Sequence, residues 1–324
     1  MQRMLAFARG RDVVLTLPAA NEDALPGIEW GRFDALFTPA YWRGQAWQHE
    51  ELGTYAPGPL GRDLAEEVAV CLLGGHGIPA ELGLAAFERL RRLGLLRGAP
   101  DAAELERALA EPLAVRGRMR RYRFPRAKAR ALSGALRALP GIDPGLPDRA
   151  LRDALVSLPG VGPKTASWIV RNFRASDDVA IVDVHIARAG RIAGFIAPGW
   201  DPARHYFAME AAFLRFAAAI GVRASVLDGL MWDHMRRLGP LAREAEAWGA
   251  QRGRYCSAGA GVFGTPSAAA PQATTRDSFG NRAAATSPPS APNGQKPRPR
   301  AEAQRCRVAS SAPASRQSRL PGLA

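Results

Sequence analysis

Two side chains, the amine of Lys164 and the carboxylate of Asp183, stand out as a reactive pair in this chain. Lys164 closes the string Leu158-Pro159-Gly160-Val161-Gly162-Pro163-Lys164, and Asp183 opens Asp183-Val184-His185 nineteen residues later. A neutral lysine amine is a nucleophile that forms imines. A carboxylate held in a water-poor site stabilises positive charge developing beside it. Each residue also has a plainer reading: Lys164 as a simple phosphate contact, Asp183 as the N-cap of a following helix.

The surrounding pattern says what must position them. Leu151, Ala154, Leu155 and Leu158 fall at i, i+3, i+4 and i+7, one apolar helix face. Asp148, behind Pro147, is its expected N-cap. Pro159 and Gly160 end that helix, and Gly160 and Gly162 let another group approach the backbone closely. Pro163 suits the first position of a second helix, whose expected buried face is Ala166, Ile169, Val170 and Phe173. The result is a helical hairpin over 148–174 whose turn offers free amides to an anion such as a DNA phosphate. Such a contact positions a duplex without reading its sequence. An ordinary αα-hairpin is the alternative. The helix N-terminus and burial both favour a neutral amine at Lys164. Asp183 ends the apolar run Val179-Ala180-Ile181-Val182 and precedes a further expected helix.

Around this hairpin the pattern is mostly helical from 60 to 248, with helices expected over 102–110, 126–138, 203–220 and 224–248. Val13-Val14-Leu15-Thr16-Leu17 is the one stretch that reads as a strand. The first sixty residues are otherwise aromatic and loop-like, and Trp30, Tyr41, Trp42, Trp47 and Tyr55 are read as packing. Three regions follow: an N-terminal extension over 1–59, which stands alone or joins the first lobe, a helical domain over 60–249, and a tail over 250–324.

The chain has 324 residues, 47% of them hydrophobic, and a net charge of +14. Residues 250–324 hold eleven Arg or Lys against Asp277 and Glu302, so the tail carries +9 of that charge. Its Ala, Pro, Ser and Arg composition cannot bury enough surface to fold, so it is expected to be disordered. It is either dispensable or a cationic arm that adds salt-sensitive DNA affinity. A second basic stretch runs through Arg116, Arg118, Arg120, Arg121, Arg123, Arg126, Lys128 and Arg130, around Tyr122 and Phe124. A charge run is usually a solvated face. This density favours a DNA-backbone contact, with Arg121, Arg123, Arg126 and Lys128 as its candidates. Cys71, Cys256 and Cys306 are too scattered for a disulfide framework or a metal site. No signal peptide and no membrane span are expected, and a reducing cytoplasm is the natural compartment.

Residues 150–190 resemble the helix-hairpin-helix, Gly/Pro-rich loop, Asp superfamily of DNA glycosylases. Lys164 with Val182-Asp183-Val184-His185 is most similar to the 8-oxoguanine DNA glycosylases. Weaker similarity runs from about 60 to 240, including Tyr122-Arg123-Phe124-Pro125-Arg126-Ala127-Lys128-Ala129 and Leu227-Asp228-Gly229-Leu230-Met231-Trp232. The resemblance implies a mostly α, two-lobed glycosylase fold with a short N-terminal β element. It implies Lys164 as nucleophile and Asp183 as catalytic carboxylate, with Gly160, Gly162, Lys164 and His185 on DNA phosphates. His185 on a helix surface is the alternative.

A base inside a duplex is out of reach, so such an enzyme extrudes it into a pocket with flat apolar walls. Trp168, one helical turn after Lys164, is the first stacking candidate. Trp232 is the second, by resemblance to archaeal-type members. Both have buried core packing as the alternative. Asp228 is the candidate for a base edge, with an exposed helix acid as the alternative. His76, in Gly74-Gly75-His76-Gly77, is the candidate to fill the gap left by the base, although the Gln- or Asn-rich string of relatives is missing there. The chain also continues well beyond the end of some archaeal-type members. No metal or organic cofactor is expected; the iron–sulfur cluster of endonuclease III relatives needs four clustered cysteines.

The expected activity is excision of 8-oxoguanine from double-stranded DNA with a coupled AP-lyase step, by a monomer at the nucleoid. Excision of oxidised pyrimidines or other damaged bases, and a non-catalytic DNA-binding hairpin module, remain the alternatives.

Overall fold

The computed structural model describes residues 1–54, 58–75 and 77–248. The chain divides into two units, Met1–Gly264 and Thr265–Ala324. The expected disordered tail over 250–324 lies outside the described residues, as do Tyr55 and His76.

The first unit opens with a hairpin of β1 (Gln2–Ala8) and β2 (Arg11–Leu17), paired from Gln2 opposite Leu17 to Ala8 opposite Arg11. Alternation buries Met4, Ala8, Val13 and Leu17. Two very short strands follow, β3 (Asp23–Leu25) and β4 (Ile28–Glu29), and then helix α1 (Pro39–Leu52). Thr38 caps α1 by accepting from the Tyr41 amide at 3.1 Å. The middle of the chain supplies α2 (Leu64–Leu73), α3 (Ala80–Arg92), α4 (Ala102–Ala110), a hairpin of β5 (Leu113–Val115) with β6 (Arg118–Arg120), and α5 (Pro125–Ala138). The predicted helical hairpin is α6 (Asp148–Leu155) and α7 (Pro163–Arg174). Then come α8 (Val184–Ala193), α9 (Pro202–Ala219) and α10 (Ala224–Arg237), with a further helical stretch over 239–248.

These elements build two cores. One gathers Met4, Val13, Trp42 and Trp47 from the start of the chain with Ile186, Phe213, Phe216, Leu227 and Met231 from α8–α10. The other gathers Val68, Leu72, Phe87, Leu105, Leu132, Leu151, Ile169 and Val170 from α2–α7. The early and late parts of the described chain thus share one lobe and its middle forms the other. Tyr41, from the aromatic N-terminal stretch, bonds the Nδ1 of His234 on α10 at 2.7 Å. Among the described residues no helix is long and apolar enough to cross a membrane.

Two local expectations need correction. Among the described residues three hairpins are present where one strand was legible: β1, seven residues long, pairs with that strand, and the other four strands, of two or three residues, are too short to show alternation. Asp148 is not the N-cap of α6: Pro147 holds that position, and Asp148 accepts from Arg174 of α7 at 2.6 Å. That ion pair ties the start of the hairpin to its end.

The turn between α6 and α7 is held from behind by α5. Gly160 has φ +79, and a Cβ there would lie 2.6 Å from the Cβ of Ala131. Gly162 has φ −96 and open space where a Cβ would be. Gly160→Ala is therefore expected to lower the unfolding free energy by about 2 kcal/mol, whereas Gly162→Ala should cost under about 1 kcal/mol. Urea denaturation of the two variants checks the contrast; equal costs would contradict this packing.

Candidate active site

Lys164 occupies the first turn of α7, one residue after Pro163. No side chain caps this helix: its N-cap is Gly162, without a side-chain bond to the amides that follow. Those amides sit where the helix dipole is positive. With open space beside Gly162, the turn can receive an anion from outside.

The charge of Lys164 is felt by two side chains, Lys128 and Cys71. Lys128 on α5 is half-buried, and its Nζ donates to the carbonyls of Leu72, at 2.5 Å, and Gly74, at 2.9 Å, at the end of α2. Burial lowers its pKa, and the charge on Lys164 lowers it further. Cys71 on α2 is buried and donates to Glu67 Oε1 at 3.7 Å. Burial and Glu67 push its thiol pKa up, against an opposing effect of Arg171 and Lys164. Lys128, expected on the DNA backbone, is thus engaged in closing the last turn of α2.

Asp183 is the N-cap of α8. Its Oδ1 accepts from the amides of His185, at 2.8 Å, and Ile186, at 3.0 Å. Its Oδ2 has no hydrogen-bond partner among the described residues, which leaves one oxygen of a rigidly held carboxylate available.

The run leading into Asp183 explains that rigidity. Residues 179–182 are mostly buried and outside any helix or strand pairing, so side chains must take their backbone bonds. The Ala180 amide donates to Glu210 Oε1 at 3.0 Å and the Ile181 amide to Asp228 Oδ2 at 3.4 Å. The hydroxyl of Tyr206 donates to the Ala180 carbonyl at 2.7 Å and accepts from the Val182 amide at 3.5 Å.

The two carboxylates also bind α6 and α7. Glu210 on α9 pairs with Arg152 of α6 and accepts from Ser167 of α7 at 2.9 Å. Asp228 on α10 pairs with Arg171 of α7 at 2.5 Å. From there the chain of contacts continues through Asn172 to Glu67 on α2 at 2.9 Å. The helix that carries Lys164 and the run that ends in Asp183 are therefore bolted to the same buried groups.

Asp228, expected at a base edge, is corrected by this arrangement: it is 2% exposed and both its oxygens are engaged inside the protein. Burial pushes its carboxyl up to about 6, with Arg171 opposing. Tyr206, Glu210, Arg171, Asn172 and Glu67 were not singled out from sequence. Their signal was present as polar residues at positions of apolar periodicity, such as Glu67 within Leu64-Ala65-Glu66-Glu67-Val68.

Trp168 is partly buried against the second core, and its ring lies against Gly74, where a Cβ would come within 2.9 Å of it. Trp232 meets His185 edge-on at 6.3 Å, and the guanidinium of Arg236 covers it at 5.0 Å. Nδ1 of His185 is buried without a hydrogen-bond partner among the described residues. Arg121, Arg123 and Arg126 are all exposed at the surface. His76, the expected gap-filler, lies outside the described residues, between Gly75 and Gly77. Among the described residues no cluster of His, Cys, Asp and Glu is arranged to hold a metal ion.

A family model described as 8-oxoguanine DNA glycosylase matches residues 59–222. No curated protein sequence matches the chain. Among solved structures, the 8-oxoguanine DNA glycosylase of Methanocaldococcus jannaschii is 26% identical, with 53% of this chain and 77% of that one covered and a TM-score of 0.43. The 8-oxoguanine DNA glycosylase of Thermotoga maritima is 25% identical over 60% and 86%, with a TM-score of 0.42. A trapped covalent complex of endonuclease III with DNA is 21% identical over 62% and 87%, with a TM-score of 0.46.

Two expected outcomes test the buried network. Tyr206→Phe keeps the ring but removes the hydroxyl, and should cost about 1–3 kcal/mol while speeding hydrogen exchange at Ala180 and Val182; unchanged exchange there would exclude the role. For Asp228, the folded pKa of about 6 lies above the ordinary 3.8. Its contribution to stability is therefore full below about pH 4 and lost as pH rises to about 6. Unfolding free energies measured across that window should show this loss in the wild type and not in Asp228→Asn.

Proposed function

The chain belongs to the helix-hairpin-helix 8-oxoguanine DNA glycosylase family, whose model spans half of its length, and on that premise we propose that it excises 8-oxoguanine from double-stranded DNA and then nicks the strand through a lysine imine. The observation that carries this reading is the contrast between two consecutive helix starts. The start of α7 is uncapped, open and followed at once by an amine; the start of α8 is closed by a carboxylate with one oxygen to spare.

In this mechanism the turn amides at Gly160 and Gly162 and the side chain of His185 grip phosphates, with Arg121, Arg123 and Arg126 on the flanking backbone. The damaged nucleotide swings out of the stack, and Trp168 and the uncovered side of Trp232 supply flat surfaces for its base. As the glycosidic bond breaks, its electron pair leaves with the base, which takes up a proton. Positive charge grows on the sugar, and Asp183 Oδ2 stabilises it. The deprotonated Lys164 amine bonds to C1′; a proton then passes from that nitrogen to the ring oxygen, and the C1′–O4′ bond breaks to leave a protonated imine. Loss of a C2′ proton then expels the 3′ phosphate by β-elimination, and water finally hydrolyses the imine and frees Lys164.

Borohydride reduces the imine to a stable cross-link, so trapping on a duplex with a single 8-oxoguanine tests the proposal. Lys164→Gln should abolish trapping. Asp183→Asn keeps a good N-cap but removes the charge, so it should slow single-turnover excision by about 10²–10³-fold with little loss of stability. Trapping confined to duplexes with an oxidised pyrimidine would move the substrate class. Binding without excision or trapping would reduce the protein to a DNA-binding hairpin module.

A further inference from the structure

We propose that the β5–β6 hairpin forms a second DNA contact: a groove that grips the phosphates of the duplex flanking the damaged site. The proposal rests on the DNA-binding reading above and extends its flanking contact at Arg121 and Arg123 to the hairpin arginines Arg118 and Arg120, none of which touches the reacting atoms.

The groove encloses about 980 Å³ and runs between the hairpin and the start of α3. Its lining includes Arg116, Arg118, Arg120, Arg121 and Arg123, against Glu81 as the one lining acid. Glu81 pairs with Arg116, which pins the hairpin turn to α3. Among the described residues, Arg118, Arg120, Arg121 and Arg123 have no carboxylate partner, and all four are exposed. Like charges gathered in one concavity repel each other unless an anion enters. The arrangement therefore calls for a polyanion.

Its geometry is fixed rather than loose. Arg116 and Gly117, at the turn, have φ of 48 and 72, the positive values that a type I′ turn requires. Arg118 and Arg120 alternate with the outward Met119, so both point to the groove. They are two residues apart on one strand, roughly 7 Å, a separation comparable to that of successive phosphates along one DNA strand. Tyr122 locks the groove floor to the end of α2 by donating to the Leu73 carbonyl at 2.6 Å.

The groove is also joined to the candidate active site. A Cβ on Gly77 would lie 2.8 Å from an Arg123 guanidinium nitrogen, and one on Gly74 would lie 2.9 Å from the Trp168 ring. The end of α2 and the break after it thus stand between the arginine groove and the tryptophan one turn from Lys164.

Fluorescence anisotropy of the full chain with duplex DNA, titrated between about 50 and about 200 mM salt, tests this. Arg118→Ala/Arg120→Ala should weaken binding and reduce the slope of log affinity against log salt by roughly 0.9 for each phosphate no longer neutralised. The corresponding lysine pair should keep the slope. Single-turnover excision at saturating enzyme should be unchanged. Trimming the duplex from one end should cost the wild type affinity stepwise, and the double variant less. An unchanged slope overturns the proposal. So does an equal fall in Arg92→Ala/Arg137→Ala, whose arginines are exposed outside the groove. Wild-type protein that binds duplex but never excises overturns the enzymatic reading and leaves the groove standing.

Discussion

A buried backbone segment with no sheet or helix around it must find hydrogen-bond partners elsewhere, and that requirement organises this protein. The run over 179–182 lies mostly buried with its backbone polar groups to be met. An unmade bond there costs about 1–3 kcal/mol. Glu210, Asp228 and Tyr206 meet the demand from two different helices. The run cannot shift by even one residue without undoing several of these bonds together. Asp183, which ends it, inherits that fixed position.

The same carboxylates explain how the two lobes are held in register. Each carries a charge in the interior, and each is neutralised by an arginine from the helical hairpin, Arg152 for Glu210 and Arg171 for Asp228. Buried ion pairs contribute little net stability relative to apolar packing, because desolvation offsets most of the attraction. Breaking one leaves an uncompensated charge, which is far more costly. Such pairs therefore specify an arrangement more than they strengthen it. Here the arrangement sets α7, with Lys164 at its start, against α8–α10 of the other core.

Glycine works in the opposite sense, by leaving room. Gly160 lets α5 press on the hairpin turn, and Gly74 lets the Trp168 ring close over the end of α2. Gly162 keeps the outer side of the turn open. The inner face of the hairpin is consequently packed to contact distance, while its outer face is a free row of amides. A phosphate is a suitable occupant for that face, since it brings the charge that the helix dipole lacks a partner for.

Local features were legible in the residue string alone: the apolar periodicity of α6 and α7, the glycine turn between them, and the spacing of Lys164 from a capping Asp183. These depend on neighbours within one or two helical turns, so they are written in consecutive residues. The string also carried the family resemblance. Which polar residues face inward together became visible in the folded packing. Asp228 reads as an exposed helix acid or a base contact until Arg171, fifty-seven residues earlier, is seen to neutralise it. Lys128 reads as one more cation of a basic stretch until two carbonyls of α2 are found at its tip. The aromatic start of the chain gave no sign that it shares a core with helices nearly two hundred residues away. Burial and pairing at such separations arise when distant segments meet, and no local pattern encodes them.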